Sequence, residues 1–360
     1  DLRESVKIPG GAFLNNRGLF MPEPVAQTGF SFVLMAIAFG IVAAIAYHLW
    51  AKKRQEKTGQ QAPVFLVSLG LIIALPLAVF LAAGLPLTGD AKCAENGQRL
   101  TIGEGSFATI DGLGTYRHVF ADPLTGNVGF IGTVKEHGAK AMLDLRMRIV
   151  EDRIAEIETM IIRDPGGYVR YEALGTPEAV WLETVPQDQR MTREAMVRTV
   201  NRYFTAMVHN DGRDDYTFFH PQCDRMEHAL KTTNLEVKEA YGHSQDTDFR
   251  SMDCRRQFGM GFLGFVTAIR DRRFLVIDEA RQAILAMVTL DHDGTIRKLP
   301  LSTGKDFVLP PYFSVPRTLQ VIEGFKLKDG MLYRIEMTLI ETPYGTPPPW
   351  PDAADVTVIR

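Results

Sequence analysis

Hydrophobicity along the chain changes its rhythm near Asp90. Before that point, the runs Phe30 to Trp50 and Pro63 to Gly84 hold 21 and 22 residues without one Asp, Glu, Lys or Arg. A helix rises about 1.5 Å per residue, so each run can span a hydrocarbon core of about 30 Å. Both exceed the apolar core of a signal peptide. Four positive charges, Lys52, Lys53, Arg54 and Lys57, lie between them. Such a loop favours the cytoplasmic side. The pattern predicts a transmembrane hairpin over residues 1–90, with loop 51–62 cytoplasmic, His48 and Trp50 as interfacial anchors, and the rest of the chain facing outward.

After Asp90 the period shortens to two. Arg153 to Ile162 matches Met331 to Ile340 position by position, with Ile157-Glu158 in one and Ile335-Glu336 in the other. Each follows a charged turn, Glu151-Asp152 or Asp329-Gly330, which is a hairpin signal. Leu143 to Val150 and Gln320 to Leu327 supply partner strands. Val128 to Val134 and Ile284 to Leu290 supply a third. The prediction is a three-stranded antiparallel meander, repeated. Before the second copy, Thr192 can cap a helix running to about Asn210. Its apolar stripe is Met196, Val197, Val200, Tyr203, Phe204 and Met207. A second helix is expected from Cys254 to Arg270, burying Phe258, Phe262, Phe265 and Ile269. The prolines from Pro343 to Pro351 predict an extended tail. The fold class expected is α+β. Domains are expected at 1–90, 93–180, 190–345 and 346–360.

Charge narrows the function classes. Of 40 Lys+Arg and 43 Asp+Glu, residues 91–360 hold 33 and 38. An acidic balance excludes a basic nucleic-acid surface, so no nucleic-acid partner is expected. Gly103-Glu104-Gly105-Ser106 lacks the strand–turn–helix context of a dinucleotide loop, and no cofactor is expected. Three cysteines facing an oxidising compartment allow one bridge. Cys223 with Cys254 is the expected pair, leaving Cys93 free. His220, Cys223, Glu227 and His228 are irregularly spaced, so no metal site is expected. Asp291-His292-Asp293 reads as a solvated turn.

Two resemblances add to this reading. Ile8-Pro9-Gly10-Gly11 through Asn15-Asn16-Arg17-Gly18, the loop Trp50 to Gln60, and the second run ending in Leu85-Pro86-Leu87-Thr88 resemble the middle of a general L-amino-acid ABC transporter permease. The match covers residues 1 to about 90. It implies a bacterial inner membrane, with residues after 90 periplasmic. The segment that would dock on the transport ATPase is not found, so ATPase coupling is not expected. Asp1 in place of Met suggests processing or a gene fragment, and the junction near residue 90 a fusion.

Helices followed by a curved meander resemble the nuclear-transport-factor-2-like superfamily with its SnoaL-like proteins. Glu95-Asn96-Gly97-Gln98, Gly112-Leu113-Gly114-Thr115-Tyr116, Cys223-Asp224-Arg225-Met226-Glu227, Arg270-Asp271-Arg272-Arg273-Phe274, Val276-Ile277-Asp278-Glu279 and Pro343-Tyr344-Gly345 resemble an uncharacterised family of secreted bacterial and fungal proteins. That likeness implies two cone-shaped α+β modules in tandem, the first here lacking its N-terminal helices. Its apolar concave face then needs cover from the hairpin or from the second module. The sequence departs from the family where Glu227-His228-Ala229 replaces Glu-Asn-Gly.

The cone resemblance implies a pocket between sheet and helices for a small apolar or aromatic molecule. Glu227 and Glu336 are the candidate acid or base, Glu227 first, because burial raises a carboxylate's pKa. Arg225, Arg272, Arg273, Asp278, Glu279 and Glu336 are the candidate ligand-binding residues. The plainer alternative pairs Arg272 and Arg273 with Asp278 and Glu279 as a structural network. If Ile157 and Ile335 face the core, strand alternation turns Glu158 and Glu336 to solvent. Three functions remain: a membrane-tethered small-molecule binder, a cofactor-free dehydratase or isomerase, or a piece of an amino-acid permease.

Overall fold

The computed structural model describes residues 86–236, 249–348 and 357–359. The chain falls into two compact units, Asp1–Leu71 and Ile72–Arg360, and every described residue lies in the second. The predicted spans lie outside the described residues. Among those described, no helix is long and apolar enough to cross a membrane.

The fold is mixed α+β with curved sheets. The first sheet uses β1 (Leu87–Glu95), β2 (Gln98–Leu100), β3 (Ile110–Asp122), β4 (Asn127–Glu136), β5 (Ala139–Val150) and β6 (Arg153–Ile162), in the order β2-β1-β6-β5-β4-β3. The second uses β7 (Phe219–Glu227), β8 (Leu230–Lys231), β9 (Ala268–Asp278), β10 (Ala283–His292), β13 (Arg317–Lys328), β14 (Met331–Thr342) and β15 (Thr357–Ile359), in the order β15-β9-β10-β13-β14-β7-β8. A separate hairpin pairs β11 (Lys298–Pro300) with β12 (Asp306–Val308). In both sheets a parallel pair, β1 with β6 or β7 with β14, interrupts an otherwise antiparallel order.

Each predicted three-stranded meander is present, and each sheet adds a fourth long strand, β3 or β9. Two-residue turns close the hairpins with both residues at positive φ: His137-Gly138 at 46° and 77°, Glu151-Asp152 at 49° and 58°, Asp329-Gly330 at 51° and 77°. These are primed turns, whose twist matches that of paired strands. Register shifts interrupt β3 against β4 and β9 against β10. Such bulges bend a strand, which is how a sheet acquires curvature. The expected extended tail contributes β15, paired antiparallel with β9.

Among the described residues the α-helices are α1 (Ser106–Thr109), α2 (Pro165–Leu174), α3 (Arg193–Met207) and α4 (Cys254–Gly259). The Thr192 hydroxyl accepts from Ala195 N at 3.3 Å, the predicted cap. The stripe Met196, Val200, Tyr203, Phe204 and Met207 is buried against Phe274, Ile284, Val288, Val321 and Phe325 of the second sheet. Each such aliphatic or aromatic side chain contributes about 1.5–3 kcal/mol on burial.

The expected helix from Cys254 to Arg270 stops at Gly259. Gly261 has φ +78°, and a Cβ at Gly264 would stand 2.6 Å from Asn210 O. Backbone packs on backbone there, so the chain turns and enters β9. Helix α2 was not expected. It begins at Pro165 with the Asp164 carboxylate accepting from Gly166 N at 2.9 Å.

The second sheet is covered on both faces. Opposite α3, Leu275, Leu285, Met287 and Ile322 pack against Tyr116, Phe120, Ile131, Met142 and Met160 of the first sheet, with Trp181 beside them. All ten residues of β10 are accordingly buried. The second sheet thus covers one face of the first. This overturns the solvent-facing expectation for Glu158 and Glu336, which are 2% and 0% exposed. The alternation was read correctly, but the other side of the pleat meets the opposing sheet instead of water.

Candidate functional site

The described cavity lies between α3 and the second sheet and holds about 200 Å³. Strand parity builds it. Arg225 and Glu227 share one face of β7, Leu319, Val321 and Glu323 one face of β13, and Met337 and Leu339 one face of β14. Glu227 and Glu323 both sit opposite Met337 in register, so the acids and Arg225 converge at one end.

That end is buried and only partly satisfied. Arg225 Nη2 lies 2.7 Å from Glu227 Oε1, and Arg225 Nε lies 3.9 Å from Glu323 Oε1. Arg225 Nε has no hydrogen-bond partner among the described residues. The Tyr203 hydroxyl donates to Glu323 Oε1 at 2.9 Å. Burial pushes the Glu323 carboxyl up to about 7, while Arg225 and Tyr203 pull the other way and Glu227 adds to the rise. Burial alone would lower the Arg225 guanidinium, but Glu227, Tyr203 and Glu323 outweigh it and hold it charged. Burial raises the Tyr203 phenol, Arg225 opposes it, and the adjoining Glu323 carboxylate adds to the rise. This end therefore has a fixed ion pair, a neutral phenol and a carboxyl that exchanges its proton near neutrality.

His292, Tyr312 and Phe313 line the cavity elsewhere. His292 is 2% exposed and its Nδ1 has no partner among the described residues. Burial and Arg317 lower its pKa. The expected solvated turn is thus confined to Asp293, which accepts from Thr295 N at 2.8 Å. Asp291 is buried and paired with Arg270 Nε at 2.6 Å.

The other candidate residues lie elsewhere. Arg272 reaches α3, donating to Asn201 Oδ1 and Thr205 Oγ1 at 2.8 Å each. Arg273 crosses between the sheets and forks onto Glu158 at 2.7 and 3.0 Å. Asp278 accepts from Arg281 N at 2.9 Å, and burial raises its pKa. Glu279 lies 3.7 Å from Arg193 Nη1. The alternative pairing of Arg272 and Arg273 with Asp278 and Glu279 does not form.

Glu336 sits between the sheets. It accepts from the Tyr116 hydroxyl at 2.9 and 3.0 Å and lies 2.7 Å from His118 Nδ1. The nearby Asp144 carboxyl meets the Thr338 hydroxyl at 2.5 Å, and burial holds its pKa well above the carboxylate range. Tyr116, Asp144 and Glu336 are fully enclosed. Their bonds fasten one sheet to the other and do not line the cavity.

Cys223 and Cys254 form the expected disulfide, with Sγ–Sγ 2.09 Å, joining β7 to the first turn of α4. Cys93 is free and buried, and burial pushes its thiol to about 11. His220 lies 3.6 Å from Asp329, whereas His228 Nε2 accepts from Leu339 N at 3.0 Å, so the two imidazoles serve different neighbours.

Sequence reasoning missed Glu323, Tyr203 and His292. Glu323 carried a signal: it alternates in phase with Val321 and Phe325 on a strand already predicted. An acid in phase with core residues marks a buried carboxyl.

Residues 189–339 match a family model described as a domain of unknown function (DUF8021). The General L-amino acid transport system permease protein AapQ of Rhizobium johnstonii is 46% identical over 92 residues, 26% of this chain and 23% of AapQ. YhdX of Escherichia coli is 35% identical over 88 residues, 24% of this chain and 22% of YhdX. The chain therefore spans less than a quarter of either curated relative. Among solved structures, AusH from Aspergillus nidulans is 12% identical, with 41% of this chain and 86% of AusH covered and a TM-score of 0.24. A de novo designed protein with curved β-sheet is also 12% identical, with 42% and 88% covered and a TM-score of 0.23. The sequence matches thus fall into two classes, one to permeases and one, over residues 189–339, to this domain model.

Proposed function

We propose that the second sheet and α3 form a binding module for a small, mostly apolar molecule. The observation that carries this is the cavity of about 200 Å³ with one polar end built from Arg225, Glu227 and Glu323, with the Tyr203 hydroxyl bonded to Glu323 behind it. Apolar walls with a few convergent polar groups are the usual make-up of a ligand site. A screen of small apolar and aromatic compounds against the full chain tests it, read from the methyl signals of Met207 and Met337 in the cavity wall. A compound should shift both, and Val321→Phe should abolish the shift by filling the space. No response from any compound class would sink the reading.

A second reading is acid–base catalysis without a cofactor, as in a dehydratase or isomerase. Glu323 favours it, since a proton exchanging near neutrality suits a general acid or base. Glu227 was the sequence candidate, yet it is a third exposed and tied to Arg225. On any substrate turned over, Glu323→Gln should remove turnover and Glu227→Gln should weaken it less. The reverse order would restore Glu227.

The predicted hairpin would tether this module on the outer side of a bacterial inner membrane. The Cys223–Cys254 disulfide supports an oxidising compartment. Protease added to intact spheroplasts should cleave residues beyond 90 and spare loop 51–62. A permease role would rest on a quarter of the relatives' length and gains nothing from the cavity.

A further inference from the structure

We propose that molecules enter the cavity at the Pro311–Ser314 turn, with the Tyr312 side chain as the gate and Arg317 and Glu341 as its latch. This rests on the ligand-binding reading above and says how a molecule reaches the same cavity.

The wall gives the place. Tyr312 lines the cavity and is 46% exposed, whereas every other lining residue is buried or half-buried. The half-buried Glu227 marks the polar end, where an apolar molecule would have to pass a carboxylate paired with Arg225. Around Tyr312 it meets rings instead. Phe313 lies 5.1 Å from Tyr312 and 4.5 Å from Phe265 between centroids, and His292 lies 5.8 Å from Phe313.

The first sheet has no counterpart to this turn. Two residues, His137-Gly138, join β4 to β5, whereas residues 293–316 join β10 to β13. The added length carries the turn to the mouth of the cavity.

The backbone of the turn is held, and the tyrosine ring is the part that can move. Pro310, Pro311 and Pro316 fix φ on both sides of it. A Cβ on Gly294, which has φ +71°, would stand 2.7 Å from Ser314 O, so backbone packs on backbone there. A change of χ1 between staggered wells would carry the ring off the mouth. Its hydroxyl donates to Glu341, which resists that change. The Arg317 guanidinium stacks 3.6 Å from the ring centroid. Arg317 also donates to Glu341 Oε2 and to Tyr312 O, at 2.8 Å each.

Neither Arg317 nor Glu341 lines the cavity. The latch therefore sets how often the gate opens without touching what is bound. A contact formed equally in the empty and filled states changes no affinity. Loosening it should raise the rates of entry and exit by one common factor.

The test uses benzene on the full chain, since an apolar cavity of about 150 Å³ accepts it and this one holds about 200 Å³. Exchange rates are read from the line shapes of the Met207 and Met337 methyl signals. Glu341→Ala should raise kon and koff about tenfold each, the scale of one hydrogen bond, with Kd changed less than about twofold. Tyr312→Phe, which keeps the ring and loses its hydroxyl, should raise both by a smaller factor. In a Tyr312→Ala background, Glu341→Ala should add nothing, because no ring is left to hold. Unchanged rates in both single variants, with benzene bound, place the entrance elsewhere and overturn the gate. A weakened Kd with unchanged kon in Glu341→Ala overturns it as well, since Glu341 would then be stabilising the bound state. If benzene moves neither methyl in the wild type, the binding reading itself fails.

Discussion

The two sheets share a strand order, and three of the equivalent positions at which they differ make the polar end of the cavity. Register aligns Cys93 with Arg225, since they face Ile157 and Ile335 of the repeat. It aligns Glu95 with Glu227, and Leu145 with Glu323, through Thr159 and Met337. In the first sheet Glu95 turns to the backbone and accepts from Ser106 N at 2.6 Å. Leu145 is an ordinary core residue, and Cys93 is a buried thiol. At these three positions the same architecture therefore carries an ion pair and a titrating acid in one copy and neither in the other. Backbone topology supplies the frame, and these substitutions decide whether it holds chemistry.

Removing the cation should break this difference most sharply. Arg225→Met leaves the buried Glu323 and the third-exposed Glu227 without their partner, so the loss should fall toward the low end of the range for a fully buried pair. Stripping one member from such a pair costs about 3–5 kcal/mol. The urea midpoint should fall accordingly. Adding Glu323→Leu, the residue found at the matching place in the first sheet, should recover part of the loss. A double variant less stable than the single would show that Leu145 and Glu323 are not interchangeable.

The acid gives a pH signature that Leu145, at the matching place in the first sheet, does not. Glu323 ionises at about 7 when folded and near 4.5 in its reference state. The folded form therefore binds an extra proton between those values. Its stabilising contribution is full below about 4.5 and is lost as pH rises to 7, where the loss levels off. Across that window the change is about 2–3 kcal/mol, from 1.36 kcal/mol per pKa unit with allowance for the coupled Arg225. Unfolding free energies of wild type and Glu323→Gln, measured from pH 4.5 to 8, should diverge in slope by that amount. Parallel curves would place the titration elsewhere.

Much of the frame was legible and much of the site was not, for one physical reason. Period-two alternation locates β5, β6, β13 and β14 because each has one apolar phase, and α3 shows itself through its apolar stripe and Thr192 cap. Alternation says which residues share a face but not what covers it. Glu336 and Glu158 were therefore turned to solvent, although a second sheet lies there. β3 and β9 escaped notice because bulges break their period. Helix α2 had only its Asp164-Pro165 start as a signal. Within the site, Arg225 and Glu227 were singled out by a motif, while Tyr203 passed as one more apolar residue on a helix stripe.

The smallest expected effect tests the sheet equivalence at a turn. Asn96-Gly97 in the first sheet and His228-Ala229 in the second have matching positive φ, 47° and 80° against 45° and 58°. Their side chains also do the same work. Asn96 Oδ1 accepts from Ile161 N at 2.9 Å, and His228 Nε2 accepts from Leu339 N at 3.0 Å, the equivalent strand position. Imidazole thus replaces amide at this turn without loss of the hydrogen bond. The alanine has no such compensation, because a Cβ in the left-handed region costs about 1 kcal/mol. Ala229→Gly should relieve it, less the entropy that glycine adds to the unfolded chain, for a gain of a few tenths to about 1 kcal/mol. Gly97→Ala should lose at least as much, since its Cβ would also stand 2.3 Å from Gln320 Nε2 and displace that side chain. Opposite signs in the two denaturation midpoints would establish the turns as the same element, and a destabilised Ala229→Gly would show that the second sheet has come to depend on its alanine.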